Sequence, residues 1–284
     1  MTHAPDSHHY RVITAILPMR SAACASAECT SEYLFGELLD PIVESSGQQF
    51  IDEPTKPDSS MVAAPADTGR ERHDWIHVRA QRDGYTGFVQ KAYLQSDETH
   101  QAQATHRVCA TSTLLFEEPS IKSRIMHRLP FLSHLICTIQ SDGPFYQLAT
   151  GGFIWRQHTL SIEQPVSYSP LEIAQAHFIG APYVWGGCSP QGVDCSGLVQ
   201  ALACAKGLSI PRDSGDQESA LSRNIEPLNR QADDLVFWPG HTGILVDKDT
   251  LLHATAHTLN CLIEPLNDVI KRAGKITSIK RLFS

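Results

Sequence analysis

The stretch Tyr183-Val-Trp-Gly-Gly-Cys-Ser-Pro-Gln-Gly-Val-Asp-Cys195-Ser-Gly-Leu-Val-Gln200 decides how this chain is read. Paired glycines mark a turn, Cys195 follows, and Leu198, Val199, Leu202 and Ala203 then recur at helical spacing over 195–206. A cysteine is thereby set in the first turn of an apolar helix. The partial positive charge at such a terminus favours the thiolate, the reactive form of the side chain. Two histidines follow, His241 in Gly-His-Thr-Gly-Ile-Leu-Val-Asp247 and His253 in Leu-Leu-His-Ala254. A thiol, an imidazole base and a polar group that orients the base are the parts of a nucleophilic Cys-His-polar site. His253 directly follows the strand-like Leu251-Leu252, whereas His257 lies beyond Ala254-Thr-Ala256, so His253 is the expected orienting group.

Working outward, 284 residues suit two or three domains, and 42% hydrophobic content is enough for real cores. A formal charge of −8 without any Lys/Arg cluster argues against nucleic acid and anionic membrane surfaces as partners. The N-terminus lacks a basic segment followed by an apolar one, and no run approaches a membrane span, so a cytoplasmic protein is expected. The eight cysteines have no Cys-x-x-Cys spacing and several sit in apolar surroundings, which reads as free thiols in a reducing compartment. No His/Cys spacing fits a metal better than it fits a thiol site, so neither metal nor cofactor is expected.

Residues 10–97 read as β structure. Trp75-Ile-His-Val-Arg-Ala80 and Tyr85-Thr-Gly-Phe-Val-Gln90 are joined by a turn with Asp83-Gly84, and 45–72 is a long loop rich in Pro, Ser, Asp and Ala. Residues 104–162 repeat the theme, with an opening strand, an apolar middle, a turn and a strand containing Gly152-Phe153. A linker over 161–166 leads into a helix beginning at Pro170. Strands are expected around Asp234-Leu-Val-Phe-Trp238, Gly243-Ile-Leu-Val-Asp247, Thr250-Leu-Leu-His-Ala254 and Thr277-Ser-Ile-Lys-Arg281. Helices first and strands after argue α+β over 167–284.

Pro182-Tyr-Val-Trp-Gly-Gly187, Asp194-Cys-Ser-Gly197, Pro211-Arg-Asp-Ser-Gly-Asp-Gln217, Asp234-Leu-Val-Phe237 and Gly240-His-Thr-Gly-Ile244 together resemble the NlpC-type cysteine peptidases, in that family's order. The resemblance implies a papain-like α+β catalytic domain that hydrolyses bacterial cell-wall peptides, preceded by two SH3-like barrels over 10–97 and 104–162. It implies Cys195 as nucleophile, His241 as base, His253 as the third group and Tyr183 as an oxyanion donor. Members with two SH3-like modules resemble a subgroup that cuts the γ-D-glutamyl–diamino acid bond of murein tripeptides or tetrapeptides with a free N-terminal L-alanine. For that subgroup the resemblance implies that Asp194 and Ser196, with Tyr85 and a carboxylate from the first barrel, here Glu37, bind the ammonium. Trp185 would shape the groove, and Arg212 and Ser214 would line its diamino-acid side. A thiol acyltransferase or another amide hydrolase on the same scaffold, and a non-catalytic wall-binding protein, remain open alternatives.

Overall fold

The computed structural model describes residues 9–42, 74–97, 103–138 and 143–283. The loop expected over 45–72 lies outside the described residues. The first β unit contains β1 (His9–Val12), β2 (Ile16–Arg20), β3 (Cys29–Leu34), β4 (Leu38–Pro41), β5 (Trp75–Ala80), β6 (Thr86–Gln90) and β7 (Leu94–Asp97). They pair in the order β3-β2-β6-β5-β4-β1-β7, so β3 and β7 are edges and the ladder does not close on itself. Alternation along β2 and β5 sends Leu17, Met19, Val78 and Ala80 into one core with Val12, Tyr33, Leu39 and Val89. The weak alternation over residues 11–17 suggests one opening strand; two form, because Ile13 N–H donates to the carbonyl of Tyr93 and leaves the line of β1.

The second unit holds β8 (His106–Val108), β9 (Ser112–Phe116), β10 (Ile125–Pro130), β11 (His134–Leu135), β12 (Cys137–Thr138), β13 (Phe145–Leu148), β14 (Phe153–Trp155) and β15 (Thr159–Ser161). These make a five-stranded sheet, β10-β9-β14-β13-β12, and a three-stranded one, β11-β8-β15. The remaining chain supplies α1 (Pro170–His177), β16 (Cys188–Ser189), β17 (Gly192–Val193), α2 (Cys195–Ala205), α3 (Ser214–Ala220), β18 (Leu235–Trp238), β19 (His241–Leu245), β20 (Thr250–Thr255), β21 (Asn260–Pro265), α4 (Leu266–Ala273) and β22 (Ser278–Lys280). Its sheet is antiparallel throughout, ordered β21-β20-β19-β18-β22. The whole is mixed α+β, mostly strands with four helices among the described residues.

Helix α1 starts where its sequence dictates. Ser169 and Glu172 close a capping box, and Pro170 takes the first turn. Helix α2 was expected to bury one face, yet it is buried nearly all round, Cys204 being the half-buried exception. One side packs on β19 and β20, while Gln200 reaches Asp83 of the first unit and the carbonyl of Cys204 accepts from Arg107 of the second. Helix α4, as short as α1, escapes the sequence reading because no side chain caps its start, and only Leu266 and Val269 in it are buried.

Strand β3 couples the units. Leu34 at its end enters the core built around α2, and the next residue, Phe35, enters the core of the second unit. Beside it, Arg82 donates to Glu37 at 2.9 and 3.1 Å and to the carbonyl of Glu32 at 3.1 Å, and lies 3.9 Å from Cys188 Sγ. Glu37 also accepts from the N–H of Leu34 at 2.6 Å. Removing one partner of a buried ion pair leaves the other charge uncompensated. Glu37→Gln is therefore expected to destabilise the protein by about 3 kcal/mol, read as a fall in the urea midpoint at unchanged slope.

Candidate active site

The site grows from the start of α2. Asp194 is the N-cap, and its Oδ1 accepts from the N–H of Gly197 at 2.7 Å. Its Oδ2 accepts from the N–H of Gly186 at 2.9 Å, which ties the glycine turn to the helix. Arg212, 2% exposed, donates to both oxygens at 3.1 and 2.6 Å, and to Ser196 Oγ at 2.8 Å. Ser196 in turn donates to Asp194 at 3.2 Å. Gln217 in α3 secures this loop by donating to the carbonyls of Ser196 and Pro211. Ser214, at the start of the same helix, is buried.

Cys195 opens α2 and is 7% exposed. Backbone hydrogen bonds from Thr242 and Ser196 reach its sulfur, which sets the thiol beside the residue that follows His241. Burial, and then the Asp194 charge, push the thiol up to about 11 against the pull of those hydrogen bonds. Tyr183 lies close to the thiol, half-buried; burial and the nearby Cys195 and Asp194 raise its hydroxyl to about 12, so it stays a donor.

His241 begins β19 after a tight turn, Trp238-Pro-Gly-His241, with Trp238 and His241 paired in register. Gly240 has φ of +72°, the positive value that the third residue of a Pro-Gly turn demands. The Nε2 of His241 lies 2.7 Å from Nδ1 of His253, and Nε2 of His253 lies 2.7 Å from Glu264 Oε1. His253 is fully buried. Burial, with His253 and Arg272 nearby, pulls His241 down to about 4, and burial also lowers His253. At neutral pH the site therefore holds a neutral thiol and two neutral imidazoles. It is His253 whose ring meets His241, while His257 is exposed beyond the strand. Glu264 was not anticipated; pairing of Leu251 with Glu264 and of His253 with Leu262 puts Glu264 and His253 on one face of the β20–β21 pair.

The first β unit borders this cluster through β3. Trp185, 60% exposed, donates to Glu28 at 2.7 Å, and Arg212 Nε donates to Ser31 at 3.2 Å. Tyr85 hydrogen-bonds Asp213 beside Arg212. Glu37 is not brought to the site, since its carboxylate is held by Arg82 and Leu34 N–H. The carboxylate that β3 does present is Glu32. It accepts from the N–H of Cys188 at 3.3 Å and lies in the field of Arg212 and Asp194. Burial pushes it up to about 7, against the pull of that hydrogen bond and of Arg212. Alternation along β3 was the available signal: Ser31 and Tyr33 are buried in it, and Glu32 between them faces the other way.

Residues 180–273 match the model of the NlpC/P60 family. The chain is 27% identical over 233 residues to a gamma-D-glutamyl-L-lysine dipeptidyl-peptidase of Bacillus subtilis strain 168, covering 75% of this chain and 77% of the relative. It is 28% identical over 241 residues to dipeptidyl-peptidase 6 of Lysinibacillus sphaericus, covering 78% and 82%. In fold it is similar to an NlpC/P60 family protein of Bacillus cereus ATCC 10987, with a TM-score of 0.75, 17% identity, and coverage of 97% of this chain and all of the other. Residues 180–273 thus form an NlpC/P60 domain, and that domain together with the peptidase-named relatives supports a hydrolase.

One glycine sets the histidine pair. A Cβ on Gly243 would stand 2.9 Å from the Cβ of His253 and 3.0 Å from the Leu251 side chain. The His253 Cβ sits at the root of its side chain and cannot swing aside, so Gly243→Ala must displace His253. A fall in kcat of about 10- to 100-fold is expected, with Cys195 still fully titratable by a thiol reagent in the unfolded protein.

Proposed function

We propose that this protein hydrolyses the γ-D-glutamyl–diamino acid amide of murein tripeptides or tetrapeptides with a free N-terminal L-alanine. Cys195 attacks the γ-glutamyl carbonyl as His241 takes the thiol proton through Nδ1, its Nε2 being engaged by His253. The tetrahedral oxyanion meets the N–H of Cys195 and the hydroxyl of Tyr183. His241 then gives the proton to the leaving amine, and water hydrolyses the acyl-enzyme by the reverse transfer.

The observation that carries the substrate class is the position of Glu32. An ammonium buried in a groove needs a counter-charge. Both oxygens of Asp194 already accept from Arg212 and from backbone N–H groups, so Asp194 and Ser196 shape the subsite, and Glu32 of β3 supplies the charge, while Tyr85 is engaged with Asp213 next to Arg212. Glu37, bound to Arg82, has no part in this reading. The name of the Bacillus subtilis relative, a gamma-D-glutamyl-L-lysine dipeptidyl-peptidase, supports the same bond. The N-terminal β units are read as SH3-like modules, the first roofing one end of the groove through Trp185–Glu28 and Arg212–Ser31. A roof there favours released peptides over intact wall, in which the alanine is amide-linked. Eight free cysteines support a reducing cytoplasm and a place in peptide recycling.

Side-by-side assay of the free and N-acetylated tripeptide tests the reading. Acetylation is expected to cut kcat/KM at least about 100-fold, because the carboxylate is then buried without its partner. Equal rates would make this a general wall peptidase. Cys195→Ala is expected to abolish hydrolysis and keep the fold.

The pH profile gives a second test. Glu32 is neutral below about 7 and charged above it, so kcat/KM is expected to fall with one proton below about pH 7. In Glu32→Gln that limb disappears, leaving a lower plateau that extends toward the protonation of His241 near 4.

A further inference from the structure

Beyond the thiol and the two imidazoles, one charged pair continues the same line of hydrogen bonds. Glu264 Oε1 is 2.7 Å from His253 Nε2, and Arg272 of α4 donates to Oε1 at 2.5 Å and to Oε2 at 3.2 Å. Glu264 is partly buried, its side chain 15% exposed. Against the cost of that burial, hydrogen bonds from Arg272 and His253 hold its carboxyl below the ordinary value. The groups facing the imidazoles from neighbouring elements are Trp238 of β18, Glu264 of β21 and Arg272 of α4. Of these, Glu264 is the only acceptor in line with a ring nitrogen.

We infer that Glu264, clamped by Arg272, is a positioning residue that sets the tautomer of both histidines and so leaves His241 Nδ1 as the basic nitrogen. A carboxylate accepts and does not donate. His253 must then carry its proton on Nε2 and offer a lone pair on Nδ1. That lone pair accepts from His241 Nε2–H, so the His241 proton sits on Nε2 and Nδ1 is free to receive the thiol proton. When it does, the S–H bond breaks, an N–H bond forms, and the imidazolium is compensated by Glu264 through the neutral ring between them. Tautomer control matters because both rings are neutral in the resting site; a neutral imidazole protonated on the wrong nitrogen is no base toward the thiol. The inference rests on the Cys195–His241–His253 reading and adds to it the residue that decides which nitrogen works.

Arg272 and His253 Nε2 both meet the same oxygen, Oε1, so Glu264→Gln keeps an acceptor there and is expected to retain the wild-type tautomers, with kcat within about threefold. Glu264→Met is the discriminating variant, since it fills the same space with no acceptor and sets no tautomer. With the murein tripeptide, its kcat is expected to fall on the order of 10-fold or more while KM stays within about twofold. A charge role predicts loss in both variants and a packing role predicts loss in neither. Ring 15N shifts of histidine-labelled wild-type protein at pH 7 give a readout that needs no variant. Both His241 and His253 are expected as Nε2–H tautomers. An Nδ1–H tautomer at His241 in the wild type, or a Glu264→Met kcat within twofold of wild type, overturns the inference. Cys195→Ala and His241→Ala separate it from the underlying mechanism. If both abolish hydrolysis and Glu264→Met does not lower kcat, the tautomer relay alone is wrong. If either retains hydrolysis, the thiol mechanism is wrong and the relay falls with it.

Discussion

Arg212 and Asp194 form the interaction on which the site depends. Neither charge has access to bulk water, and a buried charge without a partner is costly. The pair therefore forms as a unit or not at all. Asp194 spends its acceptors on the N–H of Gly186, the N–H of Gly197 and the guanidinium, so one carboxylate joins the glycine turn, the first turn of α2 and the Pro211–Arg212 loop. Arg212 passes the constraint on to Ser196 and to Ser31 of the first β unit. The orientation of Cys195 follows, since it lies between the two residues the pair holds.

The second constraint is the convergence of three β structures on one helix. Helix α2 is covered by its own sheet, by the Asp83 turn and by Arg107, whose guanidinium donates to the carbonyls of Cys204, Ile162 and Gln164. At the start of the helix Cys195 is 7% exposed and His253 is fully buried, and burial moves the thiol and the imidazoles toward their neutral forms. The chemistry thereby comes to depend on hydrogen-bond direction as well as on charge, which gives the line His241–His253–Glu264–Arg272 its significance. Glu32, raised toward neutral pH by the same burial, belongs to this balance too.

The catalytic constellation was legible because its parts are local. Asp194-Cys-Ser-Gly197 carries its own N-cap and helix start, and Trp238-Pro-Gly-His241 carries its own turn. Such motifs survive in one dimension because each contact spans a few residues. His253 was reached from its place directly after Leu251-Leu252 inside β20, and His257 lies past the end of that strand and is exposed. The carboxylates were not legible in this way. Glu37 and Glu32 lie on neighbouring parts of one strand and turn, and their roles diverge only because Arg82 captures Glu37 across 45 residues.

The sequence by itself determined the α+β class, the helix that begins at Cys195, the tight turn before His241 and the composition of a thiol site. Those features follow from short-range periodicity, capping and turn chemistry. Tertiary structure alone decided that the first N-terminal sheet stays open at β3 and β7, that α2 is buried nearly all round, and that β3 presents Glu32 to the Arg212–Asp194 pair. It also decided that Glu264 meets His253, because the β20–β21 register and the packing of α4 are set by cores that no local segment contains. Ion pairing and burial are sums over residues distant in sequence, so they exist only once the chain has closed on itself.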